Sequence, residues 1–215
     1  MRDAPGEFVN ISRIDFQAMN AALEEKGWYY GDLILSDETC NTLSRILKAK
    51  YDADIFNEAG VSKGLELTVE NTIRKSLISW IDDWNESDEL KRINIFYNDL
   101  MINLNEYFFL SMKRFESQFA IYEQGGFYKK HIDQHKLTRH RQMSCIFYLN
   151  DCTDGGELVI YNEKNKNEVD VLIKPKRGSF VLFISKTIFH EVLETRSPRY
   201  SLTTWFRDDE IIPFV

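Results

Sequence analysis

Cysteine, proline and glycine are all scarce in this chain. Cys40, Cys145 and Cys152 are the only cysteines, they stand far apart, and no CxxC pair occurs. That excludes a disulfide framework and a structural zinc site, and Cys145, inside the apolar run Met143–Leu149, reads as a small buried hydrophobe. Four prolines and ten glycines in 215 residues leave no linker or low-complexity segment and argue against disorder. No apolar run approaches the roughly 20 residues of a membrane span. Residues 1–7 lack the apolar core of a secretory signal, so a reducing cytoplasm is the expected location. Positive charge is in deficit too. The formal net charge is −7, which makes neither nucleic acid nor an anionic membrane the expected main partner.

What is present divides the chain in two. The composition, 43% hydrophobic and 13% aromatic, is enough for one sizeable core, so 1–215 is expected to form a single domain. The first half reads helical. Phe16, Met19, Ala22 and Leu23 recur at helical spacing from Asp15 to Lys26, and Gly27 stops the run. Ser36-Asp37-Glu38 caps a second helix carrying Leu43, Ile46 and Leu47, and Ser87 or Asp88 opens a longer one with Leu90, Ile93, Leu100, Leu104 and Phe108 in a stripe. Between Tyr51 and Glu70 the periodicity dissolves around Gly60 and Gly64. That stretch is either an ordinary loop or a lid over a site.

From Phe115 the pattern switches to strands, expected at 117–122, 128–132, 142–150, 157–161, 169–173, 179–184, 189–194 and 200–207. They are short, β-branched or aromatic, and punctuated by Gly125-Gly126, Asp154-Gly155-Gly156, Pro175 and Gly178. Eight such strands without an intervening helix predict a mainly β fold. Its core is an antiparallel jelly roll, or double-stranded β-helix, over 115–207, with 1–114 as a helical support layer and 208–215 as a tail.

Four histidines occur in the chain: His131, His135, His140 and His190. His131 and Asp133 stand two apart at a predicted strand end, which puts an imidazole and a carboxylate on one face. His190 sits in the strand-like Ile188–Val192. Taken singly, these are a surface His near an Asp and a core His. Across the lumen of a small barrel, however, distant residues can face each other, and HxD plus one distal His makes a 2-His-1-carboxylate set. Such a set leaves three positions open on an octahedral Fe(II), two for a bidentate 2-oxo acid and one for dioxygen. Arg199, nine residues after His190, could hold the far carboxylate of a diacid through a paired, charge-assisted contact from a strand opposite the metal. The conjunction is far more specific than its parts.

Residues from about Glu116 to Arg207 resemble the catalytic core of the 2-oxoglutarate/Fe(II) oxygenase family. They are closest in pattern to its prolyl 4-hydroxylase branch, meaning the hypoxia-sensing prolyl hydroxylases and their bacterial relatives. The stretches that carry the resemblance are Tyr122–Asp133, Arg141–Asn150, Gly155-Gly156-Glu157-Leu158, His190-Glu191-Val192 and Arg199–Phe206. The resemblance implies Fe(II) on His131, Asp133 and His190, with 2-oxoglutarate and O2 as co-substrates and ascorbate as an accessory. It implies that Arg199 is assisted at the distal carboxylate by Tyr148 and Thr203, and that Tyr122 reaches the co-substrate from the other side. Ile73–Trp80 resembles the segment beside the active site, which makes Arg74, with Trp80 and Trp205, a candidate for the substrate side. Here the chain departs from the pattern: Ser76 stands where the hypoxia-type enzymes carry an aspartate. By the same resemblance the substrate is a prolyl residue of a protein or peptide, with a translation-related protein as the partner in a bacterial-type relative. Other readings of the residues are an oxygenase acting on a different residue or a small molecule, and a non-catalytic metal-binding barrel. Lys129, Lys130, Lys136, Arg139, His140 and Arg141 form a basic stretch around the HxD, either a solvated loop or a rim that attracts an anion.

Overall fold

The computed structural model describes residues 14–63, 66–68 and 70–210. Three helices stand where the capping chemistry puts them. In α1 (Phe16–Lys26) the Asp15 carboxylate accepts from the Ala18 N–H, and Gly27 ends the helix in the left-handed region at φ 78°. In α2 (Asp37–Asp52) Ser36 accepts from the Thr39 N–H, with Asp37 and Glu38 in the first turn. In α3 (Asp88–Phe108) it is Ser87, not Asp88, that caps, accepting from the Leu90 N–H. Satisfying these otherwise orphaned donors, with acidic residues at the positive end of the helix dipole, explains why the starts were readable.

The strands are β1 (Trp28–Gly31), β2 (Asn57–Glu58), β3 (Val61–Lys63), β4 (Glu66–Thr68), β5 (Arg74–Lys75), β6 (Leu77–Trp80), β7 (Arg114–Tyr122), β8 (Phe127–His131), β9 (Arg141–Tyr148), β10 (Leu158–Tyr161), β11 (Val169–Ile173), β12 (Phe180–Ile184), β13 (His190–Val192) and β14 (Arg199–Arg207). All eight strands expected after residue 114 are present. With four strands of the first half they form two antiparallel sheets, one of seven strands in the order β1-β12-β9-β14-β7-β6-β2 and one of five in the order β11-β10-β13-β8-β5, and β3 and β4 pair separately.

The first half is less purely helical than its sequence suggests. β1 and β6 extend the larger sheet, β1 on β12 and β6 on β7, and β5 edges the smaller sheet on β8. Strands of two to four residues are too short to establish a period of two, so they left no pattern to read. The stretch expected as a loop or lid over 51–70 contains β2 and the hairpin β3–β4. Residues 64, 65 and 69 of it lie outside the described residues, as do 211–215 of the expected tail.

Alternation along the large sheet sorts its side chains into two cores. On β9, Met143, Cys145 and Phe147, with Leu149 just past its end, face the helices and pack with Leu90, Phe96, Tyr97 and Leu100. Ile146 and Tyr148, on the other face, join Tyr122, Leu158, Ile160 and Phe183 between the sheets. α3 therefore backs the large sheet, while the space between the two sheets is left for a site. Among the described residues no helix is long and apolar enough to cross a membrane.

Phe147, fully buried against Phe96, Tyr97 and Phe180, anchors the helix-facing core. Phe147→Ala is expected to cost about 3–5 kcal/mol, read as a fall in melting temperature of about 2–4 °C per kcal/mol. Phe109 is the reverse case, 95% exposed and held at φ 53° as the C-cap of α3. Phe109→Gly removes left-handed strain without loss of packing and should raise stability by about 1 kcal/mol.

Candidate functional site

The site lies at the junction of β8 and β13. These strands are direct neighbours, and His190 pairs in register with His131. The two imidazoles therefore sit side by side on one sheet, with ring centroids 4.2 Å apart. They do not face each other across the lumen as their sequence separation suggested. Asp133 lies two residues past the end of β8, in a tight bend. The Thr138 hydroxyl donates to the Asp133 carbonyl at 2.6 Å and accepts from the His135 N–H at 3.0 Å, and the Gln134 N–H donates to the Ser185 carbonyl at 3.0 Å. These bonds turn the Asp133 side chain back toward the imidazoles.

The hydrogen bonds also settle which atoms face inward. His131 Nδ1 lies 2.8 Å from the Lys129 carbonyl, and His190 Nδ1 lies 3.2 Å from the Ile188 carbonyl. A carbonyl can only accept, so each Nδ1 carries the proton and each Nε2 presents a lone pair. Those Nε2 atoms lie 3.5 Å and 3.7 Å from one oxygen of Asp133, Oδ1. The other oxygen, Oδ2, accepts from the Ser144 hydroxyl at 2.7 Å, and Ser144 in turn contacts the Ser185 hydroxyl at 2.7 Å. One lone pair from each of three residues thus converges, all within 4.8 Å of one another. Two metal–ligand bonds of about 2.0–2.2 Å to nitrogen and oxygen span the 3.5 Å and 3.7 Å separations from Asp133 Oδ1 to the two imidazoles.

The electrostatics agree with this donor set. Burial and the neighbouring His131 push His190 down to about 4, against the pull of Asp133. Burial alone would raise Asp133, but His190, His131 and Arg141 together hold it well below the usual carboxylate range. One neutral imidazole and one carboxylate, in the protonation states a divalent cation requires, are therefore present at neutral pH.

The opposite wall belongs to the large sheet. Arg199 opens β14, pairs in register with Tyr122 of β7, and is 1% exposed. Its guanidinium lies 4.8 Å from the Tyr122 ring and 5.0 Å from the Tyr148 ring. Gly156 leaves room for it: at φ +70° a Cβ there would stand 3.3 Å from Arg199 Cδ and 3.0 Å from the Cys152 sulfur. Among the described residues Arg199 has no carboxylate partner, and its Nε is buried without a hydrogen-bond partner, while the buried Tyr148 hydroxyl is set against the same guanidinium. Such groups are costly unless an acceptor meets them. A dicarboxylate whose distal end reaches Arg199 fits that requirement.

His131, Asp133, His190, Arg199, Tyr122 and Thr203 line one pocket of about 290 Å³, together with Arg74, Trp80, Arg141 and Trp205. Every candidate residue from the sequence lines this pocket except Tyr148, whose ring lies 5.0 Å from the Arg199 guanidinium. The sequence reading missed Ser144, Ser185 and Tyr128. Tyr128 stacks on the His131 ring at 3.5 Å. Ser144 did leave a signal, a lone hydroxyl in phase with Ile146 and Tyr148 on the lumen face of β9.

Comparison with known proteins agrees with this geometry. A family described as the 2OG-Fe(II) oxygenase superfamily matches residues 117–207. The mouse protein named prolyl hydroxylase EGLN3 is 26% identical over 94% of this chain and 87% of its own length. A prolyl-4-hydroxylase from Pseudomonas putida superposes with a TM-score of 0.79 at 30% identity, covering 89% of this chain and 98% of its own. A prolyl hydroxylase from Trichoplax adhaerens, solved with a hypoxia inducible factor peptide fragment, shares the fold at TM-score 0.79 and 22% identity over 90% of this chain and 89% of its own.

Two substitutions test the donor set. His131→Ala should abolish binding of Mn(II) followed by EPR. Ser144→Ala, which frees the buried Oδ2, should weaken it about tenfold. Native affinity in both variants would contradict the arrangement.

Proposed function

The chain belongs to the 2OG-Fe(II) oxygenase superfamily, and from that premise we propose that it hydroxylates a prolyl residue of a protein or peptide to 4-hydroxyproline, releasing succinate and CO2. In this reading His131, Asp133 and His190 hold Fe(II). Arg199 takes the distal carboxylate of 2-oxoglutarate, Thr203 and Tyr122 line its path, and Tyr148 supports the guanidinium. When bound, iron and 2-oxoglutarate supply the oxidising chemistry, in which one oxygen atom of O2 enters a substrate C–H bond and the other enters succinate.

The observation that carries the reading is the pairing of two walls. Three lone pairs converge at the end of one sheet, and a buried guanidinium with no carboxylate partner among the described residues lines the same pocket from the other. The chain's own residues hold and exclude. The carbonyls of Lys129 and Ile188 fix both imidazoles, and Ser144 fixes the carboxylate. Arg199 orients the diacid by charge and by its planar fork. Leu158, Ile146 and Val192 add apolar surface to the lining of the pocket, which strengthens the charged contacts inside. Trp80 and Trp205, with ring centroids 6.0 Å apart in that lining, offer flat apolar surface to a substrate chain. The choice of proline is supported by the named relatives, which are prolyl hydroxylases. By resemblance, ascorbate as accessory reductant and a translation-related protein substrate go with it, and the three free cysteines suit a reducing cytoplasm.

Purified protein given Fe(II), 2-oxoglutarate and O2 should form succinate, and His131→Ala should form none. Arg199→Ala should raise the half-saturating 2-oxoglutarate concentration at least about tenfold while Mn(II) affinity stays at the native value. Loss of metal with unchanged co-substrate affinity would refute the role given to Arg199. Proteomic comparison of cells with and without the protein should reveal a +16 mass shift on proline, and a shift found only on another residue would overturn the substrate.

A further inference from the structure

Three arginines line the pocket, and they differ in what neutralises them. Arg141 pairs with Glu116 at 2.8 Å and lies 3.8 Å over the Trp205 ring. Arg199 is the residue assigned above to the co-substrate. Arg74, on the edge strand β5, is only 9% exposed. Its Nε donates to the Ser76 hydroxyl at 2.8 Å, and its guanidinium lies 4.6 Å from the Tyr128 ring. No carboxylate stands within ion-pair distance of it among the described residues. A hydroxyl and a ring face solvate a guanidinium weakly, and a cation this deeply set in a pocket wall favours an incoming anion. Fe(II) on its three ligands and a diacid on Arg199 would leave Arg74 unmatched, because Arg74 lies against Tyr128 and is not one of the three converging ligands.

Resting on the prolyl reading, we propose that Arg74 recognises an acidic side chain of the substrate, so that the enzyme selects prolines with Asp or Glu a short, fixed distance away along the chain. The geometry sets that distance. Tyr128 lies between Arg74 and His131, 4.6 Å from the guanidinium and ring-stacked at 3.5 Å on the imidazole. An extended peptide advances about 3.3 Å per residue, so the acidic residue falls within about three residues of the reacting proline. A planar fork matches a carboxylate, whereas a neutral amide offers it a weaker acceptor. Ser76 is the residue that keeps the site available. Its Oγ is already at hydrogen-bond distance from Nε, so a carboxylate at position 76 would pair with Arg74 internally and compete with the substrate.

The test uses short fluorescein-labelled peptides with a central proline, alanine elsewhere and a single glutamate walked along the chain. They are titrated by fluorescence polarisation into protein loaded with Mn(II) and 2-oxoglutarate. Glutamate at one position should bind about tenfold more tightly than the all-alanine peptide. This ratio, taken on one protein at a time so that overall weakening does not mimic its loss, should collapse in Arg74→Gln and in Ser76→Asp and persist in part in Arg74→Lys. A glutamate advantage that survives Arg74→Gln, or no advantage at any position, would overturn the proposal. The same peptides with alanine in place of proline separate the two readings. A glutamate preference that needs no proline keeps the Arg74 assignment and sinks the prolyl substrate. Hydroxylation of proline by mass without a glutamate preference does the opposite.

Discussion

An arginine buried with no carboxylate beside it among the described residues is the feature to which the rest of this structure is adjusted. Arg199 is almost wholly inaccessible, flanked by two tyrosine rings, and its Nε has no acceptor among the described residues. Removing a guanidinium from water costs several kcal/mol even after relaxation, so a fold that keeps one there gains by admitting an anion. Everything near it serves that end. Gly156 accepts a left-handed backbone so that the side chain fits, and β7 and β9 bring Tyr122 and Tyr148 to either side of β14. The small sheet opposes it with imidazoles and a carboxylate that suit a cation. An anion that also chelates a cation satisfies both walls at once, and a 2-oxo diacid is such a molecule.

The period of two in the strands divides the work. On β9, β12 and β14 alternate side chains go to the helix-facing core and to the lumen, so one strand carries both stability and chemistry. This separation lets the lumen hold polar and charged groups at little cost to the fold, since Phe147, Phe180 and Phe206 pack on the far side against α3. The rigidity of that packed face is in turn what holds Ser144 and Arg199 in position across the pocket.

Long elements with strong local chemistry were legible in the sequence. The caps Ser36 and Ser87, the stop at Gly27 and the eight alternating strands after Phe115 all stand in the structure, because each rests on interactions within a few residues. His131, Asp133, His190 and Arg199 were legible as a set because strand alternation and spacing constrain them jointly. Pairing between strands was not. His131 and His190 turned out to be register partners on adjacent strands, and nothing local to either encodes which strand will lie beside it. Nor did β1, β5 and β6 announce themselves, since their stability comes from the edges they complete. Ser185 was invisible for the same reason: its role exists only once β9 and β12 bring it to Ser144. Ser76 was noticed as a departure from a family pattern, but its effect on Arg74 required the distance between them.

The central claim is that one ion and one diacid bind together between the two sheets, each held by the wall opposite the other. Anaerobic titration of the Fe(II)-loaded protein with 2-oxoglutarate, followed by visible absorption, tests it most directly, because a 2-oxo acid chelating Fe(II) through its keto and carboxylate oxygens creates a charge-transfer band that neither component has alone. The account predicts such a band, saturating at one equivalent of 2-oxoglutarate per iron. Binding of 2-oxoglutarate with no change in the visible spectrum would mean that the diacid and the ion do not meet, and would contradict it.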